Sequence, residues 1–581
     1  MSAIFGFSGK QDRQLQQVMA ESLSHRGSLL QPHDKTTCQT IGLLSHHTPE
    51  IRAKLGEGFY SEGNQAIALA GYITSSGPIP SLPQLLAAYR LNGPLFVSKL
   101  RGAFLIAIRD GDIIHLARDG AGVRTGYYAC HGGRFLFAAE PKAILAVPNF
   151  PRRLRAASLA QYLTFSFVPG AATMLEGLYE ILPGHVVTCD GRSEPEVRRY
   201  FMFEDETLNV DQTDEYWLDR FRQQFAEAVS ERLFMNEPVG IFLSGGIDSS
   251  VVTAAVSEQF REQPVLSYAI HFGPDYPNEL EFARLVADCC GTNHEEILIQ
   301  PKHFLPRLRQ IIWHLDDPIG DPITVPNFEL AAKVSQTVKW VFNGEGGDPC
   351  FGGPKNLPML LNHWYGGVER DHLFREKMYL QSYRRCYEEL SRLLTPEIQA
   401  QYDVSSDLEQ LLTPFFNTAV PSSFLSKLIA INIRLKGAHL ILPKVERMTG
   451  ACGLTPLSPL FDERLIRLSF EMPSRMKLHR GVEKIILKKA YENKLPRVII
   501  ERPKSGMRVP VHFWFQKDLK RYASKILNRR QLKKSGIFNW ERVKQLLDYN
   551  TVEGPGRYGI RLWMLITFEI WRRIFIEGEA P

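Results

Sequence analysis

Cysteine is scarce and unorganised. Eight cysteines are scattered through 581 residues, with no CxxC pair and no Cys/His cluster at ligand spacing. A structural zinc site and a disulfide framework are both disfavoured. Long apolar runs are missing too, and the start Met1-Ser2-Ala3-Ile4-Phe5-Gly6 has no basic stretch leading into an apolar one. A cytoplasmic protein with reduced thiols and no membrane partner is expected. Charge of one sign is thin: a net +6 over the whole chain gives no ground for nucleic acid as a partner, though it suits an anionic nucleotide. The loop Leu243–Ser250 has neither the Gly-Lys-Ser/Thr ending of a kinase-type phosphate loop nor the three spaced glycines of a dinucleotide fold. Repeats and low-complexity segments are absent.

What is present is ordinary globular composition, 44% hydrophobic and 23% charged, in a chain long enough for two or more domains. Up to about residue 200 the pattern is of short strands: Ala3–Phe7, Ile67–Tyr72, Ala103–Ile108, Ile113–Ala117, Phe135–Ala138 and His185–Cys189. Turn signals such as Asp110-Gly111-Asp112 and His131-Gly132-Gly133 separate them. Helical patterns near Gln14–Ser24 and Ser81–Leu91 intervene. From about 212 strands and helices alternate: a helix over Glu215–Leu233, a strand over Val239–Leu243, a helix over Ser249–Gln259, then strand, helix and strand at Val265–Phe272, Glu279–Cys290 and His294–Leu298. Alternation of this kind predicts a parallel sheet flanked by helices, with ligands at the carboxyl ends of its strands. Helices dominate beyond 355, and the apolar tail Ile560–Ile576 is expected to pack as a terminal helix rather than lie on a membrane.

Three loops carry chemistry. Leu243-Ser244-Gly245-Gly246-Ile247-Asp248-Ser249-Ser250 leaves a buried strand, turns on two glycines and enters a helix, which presents N–H groups and hydroxyls to an anion at the positive end of the helix dipole. This is the SGGxDS pattern of enzymes that split ATP between its α and β phosphates. The second loop, Asn343-Gly344-Glu345-Gly346-Gly347-Asp348-Pro349-Cys350-Phe351-Gly352-Gly353, follows the strand Val338–Phe342 and brings two carboxylates beside a ligand. Asp248 and Asp348 are the candidate pair for Mg²⁺, which binds through one or two carboxylates plus substrate phosphates. The third, Glu501-Arg502-Pro503-Lys504-Ser505-Gly506-Met507-Arg508, offers a lysine to phosphate oxygens whose charge grows as ATP is split.

Together these loops resemble the synthetase domain of the glutamine-dependent asparagine synthetase family, over nearly the full length. Gly481-Val482-Glu483-Lys484 looks like the family's GxxEK helix start and Pro459-Leu460-Phe461-Asp462 its PFLD segment, while Ser267-Tyr268-Ala269-Ile270 resembles its nucleotide-contacting strand end. The segment from Leu182-Pro183-Gly184-His185 to Arg199-Tyr200 is similar to the family's bridge between domains. The resemblance implies an α+β domain of the Ntn-hydrolase, class II glutamine amidotransferase type over 1–203, a linker over 204–214, and an α/β ATP-pyrophosphatase synthetase domain over 215–581. It also implies two-step chemistry on ATP and Mg²⁺, in which a carboxylate is adenylated with release of pyrophosphate and a nitrogen nucleophile then displaces AMP. On that footing Leu243, Ser244, Gly245, Gly246, Asp248, Ser249, Ser250, Ile270 and Gly344 would bind the nucleotide. Lys504 would offset transition-state charge, and Glu345 would position the acyl acceptor or take a proton from the amine.

The first domain resembles the family's glutaminase half at Ile4-Phe5-Gly6, Ser24-His25-Arg26-Gly27, Arg118-Asp119-Gly120-Ala121-Gly122 and Ala139-Glu140-Pro141-Lys142-Ala143. It departs where hydrolysis needs most. Ser2 stands where the family has its nucleophilic cysteine, a far better nucleophile near neutral pH. Ala70-Gly71 replaces the Asn-Gly oxyanion segment and Tyr72 an acidic residue. No arginine appears in Leu43-Leu44-Ser45-His46-His47, where the family holds the substrate carboxylate. A degenerate glutaminase half is expected, serving at most as an interface for a homodimer.

The leading expectation is therefore an AMP-forming amide ligase whose amine does not come from glutamine, as in lasso-peptide cyclases and β-lactam synthetase-like enzymes. Its partners would be a carboxylic acid and an amine, each a small molecule, a peptide or carrier-bound. Two alternatives are an ammonia-dependent asparagine synthetase and a non-catalytic scaffold. The basic residues Arg384, Arg385, Arg392 and Lys427 are expected to be a solvated helix face rather than a seat for an acidic peptide.

Overall fold

The computed structural model describes residues 1–30, 40–203, 212–233, 237–260, 263–353, 356–365, 373–383, 385–402, 407–503, 508–548 and 556–581. Lys504, the tip of the third predicted loop, Arg384 and most of the expected linker lie outside the described residues.

The first two hundred residues build two six-stranded antiparallel sheets. One runs, edge to edge, Tyr179–Glu180, Tyr127–His131, Arg134–Ala138, Ser2–Phe7, Ile41–Ser45, Ser28–Leu30; the other runs Glu196–Arg199, His185–Cys189, Ile113–Arg118, Gly102–Asp110, Gln65–Ile73, Gly58–Glu62. The strands near the centre of each, Ser2–Phe7 and Gly102–Asp110, are apolar on both faces, so the sheets stack through a shared core. All six strands expected in this half form, each within two residues of its predicted ends.

The second half carries a five-stranded, wholly parallel sheet in the order Asn293–Leu298, Leu266–His271, Val239–Phe242, Trp340–Phe342, Thr455–Leu457. The chain grows outward from Val239–Phe242 on one side, then returns to add Trp340–Phe342 on the other. This reversal opens a crevice at the carboxyl ends of the two central strands. The tail forms the helix Gly556–Phe575, whose Leu562, Met564, Leu565, Phe568, Ile570 and Trp571 are buried. Among the described residues no helix is long and apolar enough to cross a membrane. Lys427 is spoken for: its ammonium caps the carbonyls of Phe416 and Thr418, both at 2.8 Å.

A buried ionic layer joins the two halves. Arg26 grips Glu446 with both guanidinium nitrogens, at 3.0 and 3.1 Å, and Arg447 reaches Glu140 at 3.0 Å and Asp316 at 3.2 Å. At its edge the Met174 N–H donates to Asp317 at 3.2 Å. Burial, with Glu180 and Asp316 close by, pushes the Asp317 carboxyl up from 3.8 to about 8. Between those two values the unfolded chain gives up a proton that the folded chain keeps, so Asp317 lowers stability progressively as pH rises through that window. Asp317→Asn, neutral throughout, should match the parent near pH 4 and exceed it by about 1 kcal/mol or more at pH 8, read from urea melts at several pH values.

Candidate active site

The cleft at the strand reversal has a volume of about 330 Å³ and draws its walls from five segments. Phe242 ends one central strand beside Tyr268, and Ile241 pairs with Phe342 of the other, so the two glycine loops leave the sheet side by side. Glycine is required by space here. A Cβ on Gly347 would fall 2.1 Å from Asp248 Oδ1 and one on Gly344 2.5 Å from the Ser249 nitrogen. The second loop therefore lies against the first turn of the helix Ile247–Gln259. Gly245, at φ +74°, approaches the backbone at Phe282 and Ala283 as closely, which no side chain would allow.

Of the residues expected at the site, Leu243, Ser244, Asp248, Ser249, Ile270, Gly344, Glu345 and Asp348 line the cleft, and Gly245 and Gly246 are not among its lining residues. Ser249 Oγ accepts from the Ser244 N–H at 3.2 Å and stands 3.1 Å from Ser244 Oγ, which curls the loop around the helix N-terminus. Ser250 is turned away: it is fully buried, and its hydroxyl donates to the Gly246 carbonyl at 2.8 Å. It braces the loop and does not face the cleft.

Three lysines that no motif singled out as acting residues also converge on the site. Lys484 is buried, with Nζ 2.6 Å from Asp248 Oδ2 and in contact with Asp348 Oδ1. Lys436 and Lys444 enter from the far wall. Lys436 lies on a ten-residue π-helical stretch, Asn432–Ile441, that also contributes Leu440 and Ile441. Burial lowers the Lys436 pKa, against the pull of Asp348 and Glu345. Lys444 pairs with Asp321 at 3.0 Å; burial would raise that carboxyl, yet the ammonium holds it below its usual value. Both lysines sit more than eighty residues beyond the glycine loop, where only the fold brings them near.

Two aspartates able to reach a single ammonium can reach a single small cation, and hard carboxylate oxygens suit Mg²⁺. Among the described residues no group of three or more His, Cys, Asp or Glu converges as a complete cage. Such a site relies on substrate phosphates for its remaining ligands.

The predicted glutaminase pocket is nearly solid. Ser2 Oγ donates to Glu57 at 2.6 Å and accepts from the Gly71 N–H at 3.0 Å. Burial alone would raise the Glu57 carboxyl, but His47, the N-terminal amine and Ser2 bring it down to about 2. The Met1 amine lies 3.3 Å from His47 Nε2, and burial lowers its pKa to about 5. An arginine does reach the pocket, from a segment other than the expected one: Arg124 donates to the Ser2 carbonyl and pairs with Glu446 at 3.1 Å. About 10 Å³ of space remains, room for one water at most.

Residues 220–573 match the family described as asparagine synthase, and residues 83–201 match the glutamine amidotransferase domain. Asparagine synthetase [glutamine-hydrolyzing] 1 of Bacillus subtilis is 26% identical over 521 residues, covering 85% of this chain and 80% of that one. Amidase chry2 of Gibberella zeae is 29% identical over 287 residues, 46% of this chain and 42% of its own. Among solved structures, the glutamine phosphoribosylpyrophosphate amidotransferase of B. subtilis complexed with ADP and GMP matches at 12% identity and a TM-score of 0.24, covering 60% of this chain and 83% of that one.

Proposed function

The chain belongs to the asparagine synthase family, and from that premise we propose that it is an AMP-forming amide ligase that takes its amine from a source other than glutamine. The observation that carries this reading is the contrast between the two sites. The synthetase cleft keeps its glycine loops and paired aspartates around open space, whereas the pocket at Ser2 holds about 10 Å³ with its hydroxyl committed to Glu57.

In this reading ATP lies with its base toward Tyr268–Ile270 and its phosphates over Ser244 and Ser249, where loop N–H groups and the helix N-terminus meet them. Asp248 and Asp348 would hold Mg²⁺, which supplies positive charge to the departing phosphates. A carboxylate oxygen of the acid substrate attacks the α-phosphorus. The bond to the β-phosphate oxygen breaks, and pyrophosphate leaves with the electron pair. The amine nitrogen then attacks the acyl carbon, the bond from that carbon to the AMP oxygen breaks, and the ammonium proton passes to a base. Glu345 lines the cleft on the same loop as Asp348, and in this reading its carboxylate takes that proton. Lys436, across from it, offers charge to the acid substrate or to the developing acyl-phosphate oxygens.

The amine in this reading belongs to a peptide or a small molecule, as in macrolactam formation of the lasso type within natural-product biosynthesis. An ammonia-dependent asparagine synthetase is the second reading, favoured by the full-length likeness to the B. subtilis synthetase. One assay separates them. With ATP and Mg²⁺, the full chain should release no glutamate from glutamine, and aspartate with ammonium should give no pyrophosphate above background, while an amine-bearing acid or peptide substrate yields AMP and pyrophosphate together. Asparagine made from aspartate and ammonium at an ordinary rate selects the second reading, and glutamate formation sinks both.

A further inference from the structure

The placement of Lys484 is unusual on three counts. Its side chain is wholly buried, its ammonium touches both candidate metal carboxylates, and its backbone is left-handed at φ +58°, ψ 39°. A non-glycine residue in that conformation costs roughly 1 kcal/mol or more, and such strain persists only where the surroundings enforce it. Here it sits between the short hairpin Leu478–His479/Val482–Glu483 and the helix Ile485–Tyr491, and it turns the side chain inward from the end of that hairpin. Two carboxylates this close repel one another unless a cation stands between them. With one ammonium the trio carries a net −1, and a cation ligating Asp248 Oδ2 and Asp348 Oδ1 would stand where the ammonium stands.

We propose that Lys484 is the site's built-in counter-cation. In the metal-free chain it holds Asp248 and Asp348 together in readiness, and a divalent ion binds only by displacing it. The displaced ammonium, buried beside the two aspartates, has the incoming phosphate oxygens as its new partners. Metal binding is thereby coupled to nucleotide binding, and the empty site is kept from taking up free Mg²⁺. Lys484 acts as a positioning residue through the two aspartates. The inference rests on the assignment of those aspartates to the metal.

Mn²⁺ is the probe, titrated into the full chain and followed by its paramagnetic resonance signal, with and without a non-hydrolysable ATP analogue. The unaltered protein should bind Mn²⁺ appreciably only with the nucleotide. Lys484→Met should bind Mn²⁺ alone about tenfold more tightly than the parent and lose most of the nucleotide dependence, while Lys484→Arg, which keeps the charge, should stay close to the parent. Thermal melts supply a second measurement. Lys484→Met should melt roughly 5 °C or more below the parent in EDTA and recover in Mn²⁺. Mn²⁺ binding no tighter than the parent's, or an equal melting deficit with and without metal, overturns the proposal. Should Lys484→Met fail to fold, Asp248→Asn/Lys484→Met, which removes one charge of each sign, should restore a folded chain, and failure of that rescue also overturns it. Asp248→Asn alone tests the underlying assignment: retained Mn²⁺ binding with nucleotide would remove the metal pair itself, whatever Lys484 does.

Discussion

Asp248→Asn is expected to lower ATP–pyrophosphate exchange by roughly 10³-fold, measured with an acid substrate that supports exchange in the unaltered chain. The substitution keeps size and shape, so the close fit of Gly347 against Asp248 is preserved. What it removes is one of the two negative charges that the proposal assigns to the metal beside the phosphates. Folding should survive, because the amide oxygen can still accept from Lys484, 2.6 Å away. Asp348→Asn should act in the same direction. If both carboxylates serve one cation, as proposed, the double variant should lose little beyond either single one, a non-additivity that residues acting separately would not show. Exchange at the parental rate in Asp248→Asn would take the aspartate out of the chemistry.

How much of this was legible in the sequence depended on whether the signal was local. The strand Val239–Phe242 and the loop after it could be read directly, because an apolar run broken by two glycines has few other uses. The fifth strand of the parallel sheet, Thr455–Leu457, was missed because Pro456 stands in its middle. Proline is tolerated there since the strand is an edge, pairing only with Trp340–Phe342. The strands Ile41–Ser45 and Tyr127–His131 were also passed over. The first contains Gly42 amid few β-branched residues, and the second is mixed in polarity, so neither gives the alternation that marks a half-buried strand.

The site divides along the same line. Ser244, Asp248, Glu345 and Asp348 were identified because each sits on a contiguous motif. Lys484 lay within a recognised segment, yet its role was hidden, because a left-handed backbone at a helix start leaves no mark in residue order. Lys436 comes from a π-helical wall and Lys444 from the helix that follows it, neither of which carries a motif. Glu57 was invisible for a related reason: it precedes the strand Gly58–Glu62 and meets Ser2 only through the fold, fifty-five residues apart in the chain.

The second large effect is expected at the joint between the halves. Arg447→Met should destabilise the protein by about 3–5 kcal/mol and lower its melting temperature by roughly 3 °C. The guanidinium is 1% exposed. It pairs with Glu140 and Asp316, donates to the Ala139 carbonyl at 2.9 Å and lies over the Tyr127 ring. Methionine fills much of the volume but takes a cation from two buried carboxylates: Glu140 keeps Arg26 and Lys142, whereas Asp316 keeps Lys142 alone. Asp316, whose carboxyl burial already holds above its ordinary value, would then keep its proton more tightly still in the folded state than in the unfolded one. A folded pKa raised in this way removes stability as pH rises, so the deficit should be larger at pH 8 than at pH 5.5. Arg447→Lys should recover only part of it, because a single ammonium cannot span Glu140 and Asp316 while also donating to the Ala139 carbonyl. Urea melts followed by tryptophan fluorescence at the two pH values would read both effects, and a deficit independent of pH would point to lost packing instead. The same variant bears on why a domain with a filled pocket is kept. If ligase activity falls in step with the folded fraction, the first domain serves the second as a packing partner through this ionic layer.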